Sequence, residues 1–127
     1  MAFAVDTPTV LSKQIVANAT YATPFAANAR SDDISACEEL KAAPAAGKKI
    51  VLSQILISSD AAITITIGEG ETGGAVTTAI LGPVQFAANQ QIIWKFSQPV
   101  ALTAATSLTC DASGAANVNI FVEGFVI

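Results

Sequence analysis

Apolar residues recur along this chain at every second position, in short runs separated by Gly, Pro, Asn and Ser. The clearest run is Ala61 to Ile67, where Ala61, Ile63, Ile65 and Ile67 point one way and Ala62, Thr64 and Thr66 the other. Such alternation predicts a half-buried strand, with Asp60 and Gly68 marking its turns. Ile50 to Ile57 is apolar in both phases, interrupted only by Ser53 and Gln54. That pattern predicts a strand covered on both faces. In "QIIWKFSQPV", Ile92, Trp94 and Phe96 share one face and Ile93, Lys95 and Ser97 the other. Pro99 ends this run or places it at a sheet edge. Trp94, flanked by Ile92 and Phe96 at strand period, is expected in the core.

Two later runs complete the pattern. Thr106, Leu108 and Cys110 oppose Ser107, Thr109 and Asp111 ahead of a turn at Ser113-Gly114. At the end of the chain Val118, Ile120, Val122 and Val126 form the expected core face, against Asn119, Phe121, Glu123, Phe125 and Ile127. The front is less decisive. Gln14 to Tyr21 has strand-like composition, and "SDDISACEELKAAP" holds a capping-box pattern, Ser35 to Glu38, that permits one or two helical turns before Pro44. A strand or an irregular crossing is the favoured reading there. No helical period persists over three turns and no internal repeat is present. The expectation is an all-β chain: a single jelly-roll-like antiparallel β-sandwich of about eight strands over residues 14–127, preceded by an extended arm over residues 1–13.

Composition narrows the class. The 127 residues suit one domain. Charged residues are 13% of the chain, about half the usual share of roughly 25%, and a hydrophobic fraction of 52% argues against disorder. Net charge is −4 and the six basic residues are scattered, so a nucleic-acid footprint is not expected. Residues 1–10 lack the basic start and apolar core of a secretory signal, which predicts synthesis and folding in a cytoplasm. Thr72 to Trp94 is free of charge but broken by Gly73, Gly74, Gly82 and Pro83, so no membrane span is expected. In a reducing compartment Cys37 and Cys110 are expected as buried free thiols, with a disulfide as the alternative.

Catalytic chemistry is hard to assemble from this inventory. Without histidine there is no Ser-His or Cys-His pair and no imidazole metal site. "GEGETGG", Gly68 to Gly74, lacks the Gly-Lys-Ser/Thr ending of a phosphate loop, and Glu69 and Glu71 would repel phosphate. Carboxylates for a glycosidase pair are available in Asp32, Asp33, Glu38, Glu39, Glu69, Glu71 and Glu123, but all except Glu123 sit in polar, turn-like stretches. The same oxygens could hold calcium, although no EF-type spacing supports it. The reading is therefore no enzyme, no cofactor and no metal.

One sandwich has one interior, and this chain has apolar residues left over. Ile93, Phe121, Phe125 and Ile127 fall on outer faces, beside the double-sided run from Ile50 to Ile57. Surfaces of that kind mark contacts between chains, so these four residues are expected at a subunit interface of an obligate homo-oligomer. The amino end carries Phe3, Val5, Val10 and Leu11 around Pro8 without any period. Those five residues form either a frayed terminus or an arm laid along a neighbouring protein.

The runs "GKKIVLSQILISSDAAITITIGEG", "AILGPVQFAANQQIIWKFSQPVALTAATSLTCDAS" and "NVNIFVEGFVI" resemble the small head decoration, or cement, proteins of tailed bacteriophages. The likeness spans roughly Gly47 to Ile127. It lies in a Gly-Lys-Lys before an apolar strand, an alternating strand closing on Gly-Glu-Gly, a Gly-Pro within a later strand, Phe96 to Pro99, and Val122 to Gly124. It implies a jelly-roll-like sandwich, a homotrimer at threefold or quasi-threefold positions on the outer capsid surface of the virion, and the major capsid protein as partner. Phe3, Val5, Pro8, Val10 and Leu11 are then the candidate capsid contacts. The alternative is a carbohydrate- or receptor-binding module of a phage fibre, for which an exposed Trp94 in an aromatic cleft would speak. A subunit of a bacterial surface or compartment shell is a third reading.

Overall fold

The computed structural model describes residues 9–10, 22–70 and 72–127. Among them there are nine strands and no helix: β1 (Thr9–Val10), β2 (Thr23–Ser31), β3 (Glu38–Lys41), β4 (Ile50–Ser59), β5 (Thr64–Gly70), β6 (Val76–Gln85), β7 (Gln90–Ala101), β8 (Leu108–Ala112) and β9 (Val118–Val126). One sheet has the order β1-β7-β4-β9-β2 and the other β3-β8-β5-β6. All pairs are antiparallel.

The pairing has a simple origin. β5 pairs with β6, β4 with β7, β3 with β8 and β2 with β9. These are the contacts of one long hairpin bent at its tip between β5 and β6. Rolling that hairpin up brings β4 beside β9 and β5 beside β8, and the result is an eight-stranded jelly roll. The all-β sandwich expected from the alternating runs is therefore what the chain forms, with the two-residue β1 added at the edge of β7. The Gln14–Tyr21 run and the arm residues Phe3, Val5, Pro8 and Leu11 lie outside the described residues. The segment ahead of β3 is an irregular crossing, held by Ser35, whose backbone N–H and hydroxyl both donate to Asp33 Oδ1 at 2.9 and 2.6 Å.

Between the sheets lies one core, built from Ile50, Leu52, Ile55, Ile57, Ile63, Ile65, Ile67, Phe86, Leu108, Val118, Ile120 and Val122 with their neighbours. β4 supplies four of these, and the way it does so corrects the double-sided reading of Ile50 to Ile57. Strict alternation would send Ile50 and Leu52 inward and Ile55 and Ile57 outward. The register against β9 slips at this point: Leu52 faces Gly124 and Gln54 faces Glu123. Ser53 is thus the extra residue of a β-bulge, and the phase resets across it. Both pairs then reach the core. The Ser53 hydroxyl donates to the Glu123 carbonyl at 3.0 Å, so the side chain at the bulge is hydrogen-bonded.

Gly68 is a second correction. It continues β5 instead of ending it, because the strand runs on to Gly70. A Cβ at Gly68 would overlap the Thr78 carbonyl oxygen of the neighbouring strand. Pro99 does not end its run, since β7 continues to Ala101, but it does stand at the edge, where no described strand pairs with the far side of β7; residues 96–99 fall between the register pairs Gln54–Lys95 and Leu52–Val100, opposite Ser53.

Gly124 sits against the same bulge, where a Cβ would overlap the Val51 carbonyl oxygen. Gly124→Ala should therefore cost about 2–4 kcal/mol, read from the urea midpoint. Gly114→Ala, whose new methyl group finds only an Ile63 methyl 3.8 Å away, should stay within about 0.5 kcal/mol of wild type. Equal midpoints for the two variants would contradict the close packing at the bulge.

Candidate interaction surface

The outer face of the five-stranded sheet is ordered in rows that cross the strands. Register places Pro24, Phe125, Val51 and Ala101 side by side in one row. Ala26, Glu123, Gln54 and Lys95 form the next, then Asn28, Phe121, Leu56 and Ile93, and finally Arg30, Asn119, Ser58 and Gln91. Residues facing each other across antiparallel strands have Cβ atoms about 4.5–5.5 Å apart, so each row is a line of touching side chains. Two rows are largely apolar and two are polar.

The four expected interface residues divide between the apolar rows. Phe125 and Ile127 pack on Val51 and Ala101 in a small second cluster, so the chain itself half-buries them. Two reciprocal backbone bonds of 2.8 and 3.0 Å between Lys49 and Ile127 hold this end of β9 in place. Ile93 and Phe121 lie in the other apolar row on either side of Leu56. Ile93 is 54% exposed, and Leu56 and Phe121 are half-buried. Leu56 was not among the expected interface residues. Its signal was present, because Leu56 is the apolar residue left over when Ile55 and Ile57 are both assigned inward.

Trp94 contradicts its expected burial: it is 46% exposed. The alternation correctly gives its face, since Trp94 stands opposite Ile55 of the core and Ile92 and Phe96 beside it pack partly inward. What alternation misses is position across the sheet. Among the described residues β7 has a strand on its far side only at Val100 and Ala101, which pair with β1. Trp94 stands on the inner face where the sandwich opens to solvent. Trp94 and Ile93 are thus adjacent exposed large apolar residues on the two faces of one strand. Of the expected capsid contacts, Val10 alone falls within a described strand, paired with Val100.

Several carboxylates serve the loops. Asp60 accepts from the Asn117 backbone N–H at 2.9 Å and from its side-chain amide at 2.6 Å. Asp111 accepts from the Val76 N–H at 2.7 Å, and Glu69 from the Thr103 N–H. Asp60 thereby joins two connections, Asp111 of β8 holds the start of β6, and Glu69 of β5 holds the connection after β7. At the β2–β9–β4 end of the sheet an open concavity of about 570 Å³ is lined by Arg30, Ser31, Asp32, Ser58, Asn117, Val118 and Asn119. A smaller one of about 290 Å³ shares Ser58 and Asn117 and adds Asn89 and Gln91. Trp94 lines neither.

Cys37 and Cys110 are free and buried, and Glu38, next to Cys37, is the register partner of Cys110. Burial, assisted by Cys37, Glu38 and Asp111, pushes the Cys110 thiol up to about 12 from its ordinary 9.0. A thiol held in this state is a poor nucleophile.

No protein-family model matches the chain, and no curated protein matches it. Two solved structures align over most of it. One is a chain from the Bacillus endospore appendages described as a novel family of disulfide-linked pili, at 12% identity and TM-score 0.41, covering 83% of this chain and 86% of that one. The other belongs to the cyanophage Pam1 capsid asymmetric unit, at 12% identity and TM-score 0.39, covering 83% and 84%. Likeness of this extent does not bear on function.

Two outcomes follow from the surface. Trp94→Ala should cost under about 2 kcal/mol, whereas Phe86→Ala, at a fully buried ring, should cost about 3–5 kcal/mol; unfolding followed by far-UV circular dichroism checks this, and equal costs would place Trp94 in the core. For Cys110, unfolding returns the thiol to its ordinary value, so above pH 9 the unfolded chain loses a proton that the folded chain keeps. Its contribution is intact below pH 9 and declines as pH rises toward 12. The wild-type urea midpoint should fall more steeply than that of Cys110→Ala between about pH 8 and about pH 10.5. Parallel falls would contradict the buried neutral thiol.

Proposed function

We propose that this chain is a structural decoration, or cement, protein of a tailed bacteriophage. In this reading it forms a homotrimer on the outer surface of the virion head, at threefold or quasi-threefold positions, and binds the major capsid protein. The observation that carries the reading is the apolar row Ile93–Leu56–Phe121 on the outer face of the sheet, in a chain with half the usual share of charge. A face of that kind is costly in water and is stabilised when another copy covers it.

The mechanism is one of geometry. A trimer presents each capsid contact three times, so modest single contacts sum to tight attachment once they engage together. A capsomer held by such a bridge leaves only when contacts on more than one side break together. The work of the protein is this added binding free energy, set against the outward pressure of packaged DNA.

The exposed Trp94 favours a second reading, a glycan- or receptor-binding module, because a flat indole at the surface can stack on a sugar ring. The two readings differ in what Trp94 and Phe121 meet. Light scattering over a dilution series separates them. The cement reading expects a mass of about 39 kDa, three times 12.9 kDa, or a multiple of it, with Phe121→Glu weakening association at least about tenfold. A monomer of 12.9 kDa at all concentrations would contradict it and leave the module.

A further inference from the structure

Each sheet of an open sandwich ends in two edge strands, and folded proteins blunt such edges against pairing with other chains. Three of the four outermost full strands here are blunted. β3 is four residues long and carries Glu38, Glu39 and Lys41. β6 contains Gly82 and Pro83 and slips register three times against β5. β2 carries Pro24 and Arg30 and otherwise presents small or polar side chains outward, Ala26 and Asn28. From Gln90 to Lys95, β7 keeps an unbroken register with β4 and carries only one such device, the charge of Lys95. That stretch has no proline and presents the exposed side chains of Ile93 and Trp94. Among the described residues β1 covers only its far end, at Val100 and Ala101.

We propose that β7 pairs antiparallel with β7 of a second copy, about a two-fold axis at Ile93. The row pattern selects both the partner and the register. With Ile93 opposite Ile93 of the second copy, the apolar outer row runs unbroken as Phe121, Leu56, Ile93 and then Ile93, Leu56 and Phe121 of the second copy. Two residues along, Lys95 meets Gln91 of the second copy, so the polar row Glu123–Gln54–Lys95 joins the polar row Gln91–Ser58–Asn119–Arg30. On the inner face Trp94 meets Ile92 of the second copy. Apolar therefore faces apolar, polar faces polar, and the lone lysine never opposes its own copy. A shift of the axis by one residue, to Trp94, would instead set Lys95 against Ile93. Each copy carries this edge, and pairing it satisfies the backbone groups of the strand while covering both exposed apolar side chains.

This contact is independent of the capsid reading. It uses the strand edge and flanks the Ile93 end of the outer row, leaving Leu56 and Phe121 for a three-fold contact through that face. The test is Ile93→Cys under mild oxidation, compared with Ala46→Cys on an exposed loop, together with residue-resolved amide exchange of the wild-type protein. Directly opposed Cβ atoms on paired strands lie close to disulfide distance. Ile93→Cys should give a covalent dimer about tenfold or more faster than Ala46→Cys, because pairing raises the effective thiol concentration. In the wild type, those amides of Gln90 to Phe96 that point away from β4 should exchange slowly. Cross-linking no faster than that of Ala46→Cys, or rapid exchange along β7, would overturn the proposal. Slow exchange without Ile93 cross-linking would also overturn it and would assign the edge to a segment of the same chain. A trimer with those amides exchanging freely would remove the two-fold contact and leave the three-fold reading standing.

Discussion

The phase of β4 governs the molecule. This strand lies between β7 and β9, and it can fill the core from end to end only because Ser53 is squeezed out as a bulge. Before the bulge Ile50 and Leu52 face inward; after it Ile55 and Ile57 do. Without that reset one pair would be turned to the outside, since a one-residue slip moves every later side chain to the other face. Several other features answer to the same point. Gly124 is small because the bulged backbone passes close to it, the Ser53 hydroxyl bonds the Glu123 carbonyl, and the register of β7 slips at residues 96–99 opposite it. The outward residues of β4 follow as well: Val51 caps the cluster with Phe125 and Ile127, and Leu56 anchors the apolar row with Ile93 and Phe121.

Fold and surface are thus linked by one geometric fact. A rolled hairpin has a single interior, and the bulge fills it completely from β4 while leaving Leu56 outside. The outer rows then alternate apolar and polar across four strands, which is not how a face meant only for water is built. The apolar rows have different fates. The row with Phe125 is half-buried against Val51 and Ala101 by the chain itself, and the row with Phe121 continues to the edge of β7, which among the described residues is covered only at Val100 and Ala101.

Much of the architecture was legible in the sequence because alternation is a direct record of which face is wet. Ile63, Ile65 and Ile67, and Val118, Ile120 and Val122, are buried as their period requires. The failures share a cause: alternation reports the face of a residue and nothing of its place across the sheet or along a bent strand. Trp94 has the right face and the wrong depth, because its strand borders the sandwich. Ile50 to Ile57 looked two-sided because a phase change and a doubly covered strand leave the same letters, and only pairing with β9 tells them apart. Gly68 looked like a turn because a glycine needed for close strand approach is indistinguishable from one needed for a bend. At the surface, Ile93 and Phe121 were legible as leftovers, while Leu56 emerged only after the bulge assigned its neighbours inward.

The central claim is that the Ile93–Leu56–Phe121 row is covered in the working form of the protein. It is tested most directly by methyl NMR of the native protein in the presence of a soluble paramagnetic probe. The account predicts that the Ile93 and Leu56 methyl signals are shielded from the probe nearly as well as those of Ile57, which is buried in the core. Strong broadening of Ile93 and Leu56 at concentrations where the protein is fully assembled, with Ile57 unaffected, would contradict it.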